Sequence, residues 1–97
     1  MNRDDILSFL QTHKEEITRR YGVARIGLFG SFARGEASEE SDIDIALELM
    51  PGRKTLSNFF AFRRYLEKEL GRKVDLGIES AHKPLAREMI GKEIIHV

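Results

Sequence analysis

The sequence predicts an α+β fold of two layers, in which a small mixed β-sheet of about three to four strands has helices packed on one side. Residues 42–49 place Asp42, Asp44, Ala46 and Glu48 on one side and large aliphatic residues on the other, which is the period of a half-buried strand. Segments 2–21 and 56–70 repeat apolar residues at helical spacing, and each ends at a glycine. Two short apolar runs, 23–29 and 73–78, have the length and boundaries of buried strands.

The first predicted helix begins at an N-cap of Asn2 or Asp4 and stops at Gly22. Its apolar stripe consists of Ile6, Phe9, Leu10 and Ile17. His13 lies near this stripe, where we expect a boundary histidine and not a ligand. The strand 23–29 follows directly.

A glycine–serine turn is predicted after this strand. Gly30 ends the strand, and Ser31 is expected to cap a short helical turn that runs through Arg34. The polar segment 35–41 has the composition of a loop, and it leads into the alternating strand.

The second half of the chain continues the alternation of helices and strands. Thr55 or Ser57 is the expected N-cap of the next helix. Its apolar side is predicted to consist of Leu56, Phe59, Phe60, Phe62, Leu66 and Leu70. The last elements are a strand at 73–78, a helix from Pro84 to about Gly91, and a tail at 94–97 that packs back on the core. The predicted order is therefore helix, strand, short helix, strand, helix, strand, helix (α-β-α-β-α-β-α), in a single domain of residues 1–97.

Composition excludes several classes of function. Apolar residues make up 41% and charged residues 33% of the chain, which is a globular balance, and there is no cysteine to form disulfides or thiolate metal sites. No signal peptide is visible and no apolar run approaches the about 20 residues of a membrane span, so we expect a soluble, cytoplasmic protein without a membrane partner. The 16 basic and 16 acidic residues cancel, which argues against direct binding of nucleic acid.

Gly30 and Ser31 form the first chemically informative feature. A glycine lets backbone amides approach a phosphate closely, and a following helix N-terminus offers free N–H donors to which the Ser31 hydroxyl adds one more. Taken alone, an ordinary helix cap is the commoner explanation of such a pair.

Three aspartates form the second feature. Asp42 and Asp44 lie two apart in a strand, so their carboxylates share a face and can bracket a hard divalent cation; a solvent-facing side of the strand is the alternative. Asp75 lies between Val74 and Leu76, where a carboxylate is costly unless it is paired or bound to metal. If the two strands are neighbours, all three carboxylates share one face.

Together these residues resemble the signature of the DNA polymerase beta-like nucleotidyltransferase superfamily: Gly30-Ser31, ten intervening residues, then Asp42-x-Asp44, with Asp75 in a later strand. The stretch Gly-Ser-Phe-Ala-Arg-Gly-Glu-Ala followed by Ser-Asp-Ile-Asp most resembles the minimal nucleotidyltransferase group, the antitoxins of HEPN/MNT toxin–antitoxin pairs. The resemblance extends over residues 24–78 and implies a nucleotidyltransferase fold.

The resemblance implies roles for these residues. Gly30 and Ser31 would bind the β- and γ-phosphates of an NTP, usually ATP, while Asp42 and Asp44 would ligate two Mg²⁺ ions and Asp75 would complete the metal site and orient the acceptor. The implied reaction is attack of a hydroxyl on the α-phosphate, which transfers AMP to a tyrosine of a partner HEPN toxin and silences it.

Basic residues have less certain roles from sequence. Arg34 lies one turn after Ser31 and is expected to reach a phosphate oxygen, with an ion pair to Glu36 as the alternative. The other basic residues of this region are expected to form a solvated helix face and its exit, with docking of an acidic partner as the alternative. They are Lys54, Arg63, Arg64, Arg72 and Lys73.

Two functional alternatives stay open. The chain is either an active enzyme or a catalytically silent antitoxin that neutralises its toxin by binding alone, and the complete set of carboxylates favours activity. Transfer of a nucleotide to RNA or to a small molecule is the second alternative, and the zero net charge and the lack of room for an acceptor-binding domain weigh against it.

Overall fold

The computed structural model describes residues 1–81 and 94–97. Its elements follow the predicted alternation, except that the first helix is divided in two and the C-terminal tail forms a fourth strand. The elements are α1 (Arg3–Thr12), α2 (Lys14–Tyr21), β1 (Val23–Phe29), α3 (Gly30–Arg34), β2 (Ile43–Leu49), α4 (Leu56–Leu70), β3 (Val74–Ile78), a 3₁₀ turn (Glu79–Ala81) and β4 (Ile95–His96).

The four strands form one mixed sheet in the order β3-β2-β1-β4. β1 is antiparallel to both β2 and β4, whereas β2 and β3 are parallel. The predicted α+β class with a small mixed sheet is therefore confirmed. The parallel pair matters most for function because it places the starts of β2 and β3 at the same edge of the sheet.

One face of the sheet and the helices enclose the core. Ile43, Ile45 and Leu47 alternate along β2 and are fully buried, as the period of two predicts. The helices contribute Ile6, Leu10, Ile17, Tyr21, Phe62, Leu66 and Leu70 to the same cluster. The polar residues of β2 lie on the other face of the sheet, away from the helices.

The first helix is divided in two, and the prediction of one continuous helix is wrong. Asn2 caps α1 and forms a reciprocal capping box with Asp5. The division lies at His13 (φ −101°, ψ 7°), whose Nδ1 is 2.9 Å from the carbonyl oxygen of Phe9. A side chain that competes for a helical carbonyl interrupts the regular ladder, which apolar spacing alone does not reveal.

The predicted apolar side of α4 is only partly in the core. Phe62 and Leu66 are fully buried, but Leu56 is 75% exposed and Phe60 is 38% exposed. Thr55 is the N-cap and accepts a hydrogen bond from the amide of Asn58 at 3.1 Å. The helix therefore carries a second apolar stripe that the described residues leave uncovered.

The C-terminal tail returns to the sheet as predicted. Ile95 and Val97 pack against the core, and β4 pairs with β1 at Gly27 and Leu28. The predicted helix from Pro84 to about Gly91 lies outside the described residues. Within residues 1–81 and 94–97, no helix is long and apolar enough to cross a membrane.

Candidate active site

The turn between β1 and α3 forms one wall of the site. Gly30 has φ +75°, in the left-handed region that glycine adopts without strain. A Cβ placed there would lie 2.8 Å from Cγ of Asp44 and would overlap its carboxylate oxygen. The backbone of Gly30 therefore packs directly against the Asp44 side chain, and this contact is a reason for glycine that the sequence did not show.

Ser31 does not cap the short helix, and that expectation is wrong. Phe29 occupies the N-cap position with extended backbone (φ −138°), and Ser31 is the second residue inside α3. Its carbonyl accepts a hydrogen bond from the amide of Glu36 at 2.9 Å. The Ser31 hydroxyl therefore has no capping role at this turn.

Strand register brings the predicted aspartates together. Asp44 pairs with Phe29 of β1 on one side and with Asp75 of β3 on the other. Adjacent strands lie about 4.8 Å apart, so these two carboxylates are direct neighbours. Asp42 lies one residue before β2, two residues from Asp44. Strand register thus confirms the expected neighbourhood of Asp44 and Asp75, while a shared face for all three carboxylates stays a prediction.

The three carboxylates interact electrostatically. Burial, followed by the charge of Asp75, a hydrogen bond with that residue and the charge of Asp42, raises the pKa of Asp44 from 3.8 to about 6. The positive charge of Arg34 acts in the opposite direction. Burial is the largest cause of this shift, and the charges of Asp75 and Asp42 add to it, so the deprotonated form of Asp44 is disfavoured at this edge of the sheet.

Asp75 differs from the expectation in its surroundings. Its neighbours Val74 and Leu76 are buried, but Asp75 itself is exposed on the other face of β3. The argument from the cost of burial was therefore wrong for this residue, and register is what places it in the site. Within residues 1–81 and 94–97, no three acidic, histidine or cysteine side chains lie close enough together to hold a metal ion by themselves.

The Asp44→Asn variant is expected to stabilise the fold when no metal is present. A pKa shift of this size corresponds to about 3 kcal/mol in the free energy of unfolding for a group shielded from solvent. Solvent screening reduces this to about 1 kcal/mol, which corresponds to roughly 4–8 °C in Tm. Because the folded-state pKa is raised, the stability advantage of the protonated carboxyl is complete below pH 3.8 and is lost as the pH passes about 6. Replacement by asparagine should therefore raise Tm at pH 7 and leave it unchanged at pH 3.

Thermal unfolding in EDTA at both pH values would measure this difference. Glu40→Gln removes an exposed carboxylate from the loop beside the site and controls for the change in net charge. An Asp44→Asn variant with the wild-type Tm at pH 7 would contradict the expected cost of the deprotonated Asp44 carboxylate.

Arg34 forms an ion pair with Glu36, which is the alternative that the sequence left open. Its Nε donates to Oε2 of Glu36 at 3.1 Å, and both side chains are largely exposed. A surface pair of this kind contributes about 0–1 kcal/mol, so a phosphate could displace Glu36. The contribution of Arg34 to the pKa of Asp44 places its charge within electrostatic reach of the carboxylates.

Arg72 belongs to the neighbourhood of the site, and sequence reasoning missed it. We expected a solvated residue at the exit of α4, but its guanidinium binds the loop that leads to Asp42. No local pattern marks such a residue, because its partners lie more than thirty positions away in the chain.

Comparison with known proteins agrees with the fold described above. A family model described as a nucleotidyltransferase domain matches residues 10–96. The protein adenylyltransferase MntA of Thermococcus cleftensis is 40% identical over 96 residues, which cover 97% of this chain and 94% of that protein. A relative from Methanocaldococcus jannaschii that also bears a protein adenylyltransferase name is 42% identical over 95 residues, covering 96% and 95% of the two chains.

Solved structures show the same architecture. A structure described as a minimal nucleotidyltransferase has a TM-score of 0.84 and 34% identity, and the match covers 98% of this chain and 95% of the other. A toxin–antitoxin structure with AMP-PNP has a TM-score of 0.69 and 21% identity, over 99% of this chain and 72% of the other. A MntA–HpeT toxin–antitoxin structure has a TM-score of 0.66 and 18% identity, over 99% and 71%. At these two lower identities the likeness is one of fold.

Proposed function

The chain belongs to the nucleotidyltransferase domain family, and from that premise we propose that it is a Mg²⁺-dependent antitoxin that transfers AMP from ATP to a tyrosine hydroxyl of a HEPN-family toxin. The predicted fold and enzyme class are confirmed by the family match and by the relatives. The observation that best supports the catalytic proposal is the row of Asp44 and Asp75 beside the Gly30 turn, with Asp42 next to it.

The donor set fits Mg²⁺. The three side chains offer only carboxylate oxygens, which are the ligands that hard divalent cations prefer. Burial raises the pKa of Asp44, and the neighbouring charges of Asp75 and Asp42 raise it further, so a bound cation would be a natural counter-charge for these carboxylates. Asp42, Asp44 and Asp75 would hold the two ions that we propose, and a bound ion there polarises phosphate oxygens and lowers the pKa of a coordinated hydroxyl. Phosphate oxygens of the nucleotide would supply the remaining ligands.

The β1–α3 turn is proposed to bind the phosphates of ATP. Gly30 has no side chain to obstruct a phosphate, and the Ser31 hydroxyl is a donor beside it. Arg34 is proposed to contact the phosphates after leaving Glu36, in the fork geometry that guanidinium groups offer. These groups and the carboxylates lie at one edge of the sheet, so a triphosphate held by the turn would lie against Asp44.

Asp75 is proposed to act on the acceptor. It is the exposed member of the pair with Asp44, and it is therefore the carboxylate that an incoming side chain meets first. It would orient the acceptor hydroxyl and accept its proton while the oxygen attacks the α-phosphate. A new P–O bond then forms to the acceptor, the bond to the β-phosphate oxygen breaks, and pyrophosphate leaves.

The uncovered stripe of α4 supports a protein partner. Leu56 and Phe60 lie one turn apart and are 75% and 38% exposed. A cavity of about 260 Å³ beside them is lined by Leu49, Lys54, Thr55, Leu56, Phe59 and Ile78. The guanidinium of Arg63 lies 5.0 Å from the Phe60 ring, so the stripe has a basic rim. An apolar surface of this form fits an amphipathic helix with acidic flanks.

Leu56→Asp is expected to weaken binding to the toxin at least about tenfold, because a buried apolar anchor contributes about 1–2 kcal/mol or more to an interface. The substitution lies at an exposed position, so the free energy of unfolding should change by about 0.5 kcal/mol or less. Calorimetric titration of the toxin into each variant would measure the affinity. Gln11→Asp places the same carboxylate at an exposed position of α1 and serves as the control.

Transfer of label from α-³²P-ATP tests the proposed reaction. The purified chain would be incubated with Mg²⁺ and the product of the adjacent reading frame, and we expect label on a tyrosine of that protein together with loss of its ribonuclease activity. Neutralisation of the toxin without label would identify the silent antitoxin instead. Label on RNA or on small-molecule acceptors, offered in a parallel panel, would identify the other alternative. The proposed setting is the cytoplasm, where ATP and Mg²⁺ are both available.

A further inference from the structure

One guanidinium connects the loop before Asp42 to the rest of the site. The Nη2 atom of Arg72 donates to the carbonyl oxygens of Ser38, Glu39 and Ser41 at 3.0, 2.7 and 3.0 Å. Hydrogen bonds from a charged donor are stronger than those between neutral groups. Three carbonyl groups of the loop, those of Ser38, Glu39 and Ser41, are therefore held by a single side chain.

The loop is folded so that its carbonyl groups converge. The amide of Ser38 donates to Oγ of Ser41 at 2.9 Å, and the amide of Ser41 donates to the carbonyl of Ser38 at 3.2 Å. This closed turn points the carbonyl oxygens of Ser38, Glu39 and Ser41 at the same place, and the guanidinium of Arg72 donates to all three. Without Arg72, the carbonyl of Ser38 would keep only the amide of Ser41 as a donor, and the carbonyls of Glu39 and Ser41 would lose the guanidinium.

Asp42 depends on this loop for its position. β2 begins at Ile43, so Asp42 lies outside the ladder that fixes Asp44. Ser41, the residue before Asp42, is the last of the three carbonyl groups that Arg72 holds. The guanidinium therefore restrains the backbone immediately before Asp42, which the sheet itself does not hold.

The same guanidinium also contacts the helix of the Gly30–Ser31 turn. Its Cζ lies 5.2 Å from the ring centroid of Phe32, a residue of α3 that is only 2% exposed. The Nε atom of Arg72 is buried and has no hydrogen-bond partner within the described part of the chain. A buried donor without a partner is costly, and the attraction between the guanidinium and the Phe32 ring offsets part of that cost.

The backbone around Arg72 is anchored to the strands of the site. The carbonyl of Lys73 accepts from the amide of Ile43 at 2.9 Å, which continues the pairing of β2 and β3. The amide of Val74 donates to Oε2 of Glu67 at 3.0 Å. Arg72 itself lies in the connection between α4 and β3, three residues before Asp75.

We propose that Arg72 is a positioning residue for nucleotidyl transfer, which holds Asp42 in register with Asp44 and Asp75 and fixes α3 beside them. The metal-binding part of this inference rests on the proposed function. Lysine would not replace arginine here, because an ammonium group offers neither a planar surface for Phe32 nor a rigid fork of donors for the loop.

Arg72→Gln tests the proposal, with Arg72→Lys as the conservative variant and Arg19→Gln, an exposed arginine of α2, as the control. Calorimetric titration with Mn²⁺ and α,β-methylene-ATP is expected to give an affinity about 10–100-fold lower for Arg72→Gln, and kcat should fall by a similar factor while KM for ATP changes less. Arg72→Lys should recover only part of both losses. All measurements would be made well below the Tm of each variant.

A role confined to stability predicts a different result. The Tm would fall in Arg72→Gln, but Mn²⁺ affinity and kcat of the folded variant would equal those of wild type and of Arg19→Gln, and this outcome would overturn the proposal. If Arg72→Gln does not fold, the same comparison is decided on Arg72→Lys. The Mn²⁺ titration needs no acceptor, so a wild-type protein that labels no partner would refute the proposed antitoxin activity while the titration still decides the role of Arg72.

Discussion

Asp44→Asn is expected to reduce the rate of AMP transfer by at least about 10³-fold, because it removes a charged ligand from the centre of the carboxylate row. Asp44 is the member in contact with both of the other features of the site, the Gly30 backbone and Asp75. An amide at this position keeps the shape but not the charge, so the loss would report on metal binding and not on packing. Asp42→Asn should have an effect in the same direction.

The measurement is the initial rate of label transfer at saturating ATP, over a range of Mg²⁺ concentrations. Glu40→Gln, which neutralises an exposed carboxylate two residues before Asp42, should retain the wild-type rate. The stability expected for Asp44→Asn strengthens the test, since a variant that is more stable without metal and yet inactive has lost chemistry and not folding. Residual transfer above about a tenth of wild type would contradict the proposed role of Asp44.

Gly30→Ala is expected to give the second-largest loss, at least about 100-fold in rate, through geometry alone. The added Cβ would overlap the carboxylate of Asp44, so either the side chain rotates away or the turn moves. Both outcomes separate Asp44 from the position beside Asp75. Rotation of the Asp44 side chain costs less free energy than movement of the backbone, so Gly30→Ala should lose much activity and little stability.

Gly35→Ala is the matched control. Gly35 has φ +74°, almost the same as the +75° of Gly30, but a Cβ at Gly35 would meet nothing within 4 Å. Both substitutions therefore carry the same backbone strain of about 1–2 kcal/mol, and only one obstructs the site. Equal Tm values with unequal rates would isolate the contact with Asp44, whereas equal rates would show that this contact is unimportant.

Local sequence patterns were sufficient for much of the fold and for the candidate carboxylates. The alternation along β2 placed Ile43, Ile45 and Leu47 in the core and left Asp44 on the other face, because side chains alternate along any strand. The capping of α1 by Asn2 and of α4 by Thr55 was also visible, since a cap depends on residues within one turn.

Expectations that involved competition or a distant contact were less successful. The division at His13 arises where a side chain competes for a helical carbonyl, and apolar spacing does not register that competition. Ser31 was expected to cap α3, but the extended backbone at Phe29 makes that residue the N-cap, two positions before Ser31. Leu56 has the spacing of a core residue and is nevertheless exposed, because burial depends on what packs against the helix.

The sequence by itself determined most of the elements, the family resemblance and the presence of two aspartates, Asp44 and Asp75, at strand positions, because these follow from spacing and residue type. Only the tertiary structure decided that Asp75 lies beside Asp44, that Gly30 makes room for that carboxylate, and that Arg72 holds the loop before Asp42. Strand register and contacts between residues about thirty positions apart depend on how whole surfaces pack, and no short-range period encodes them.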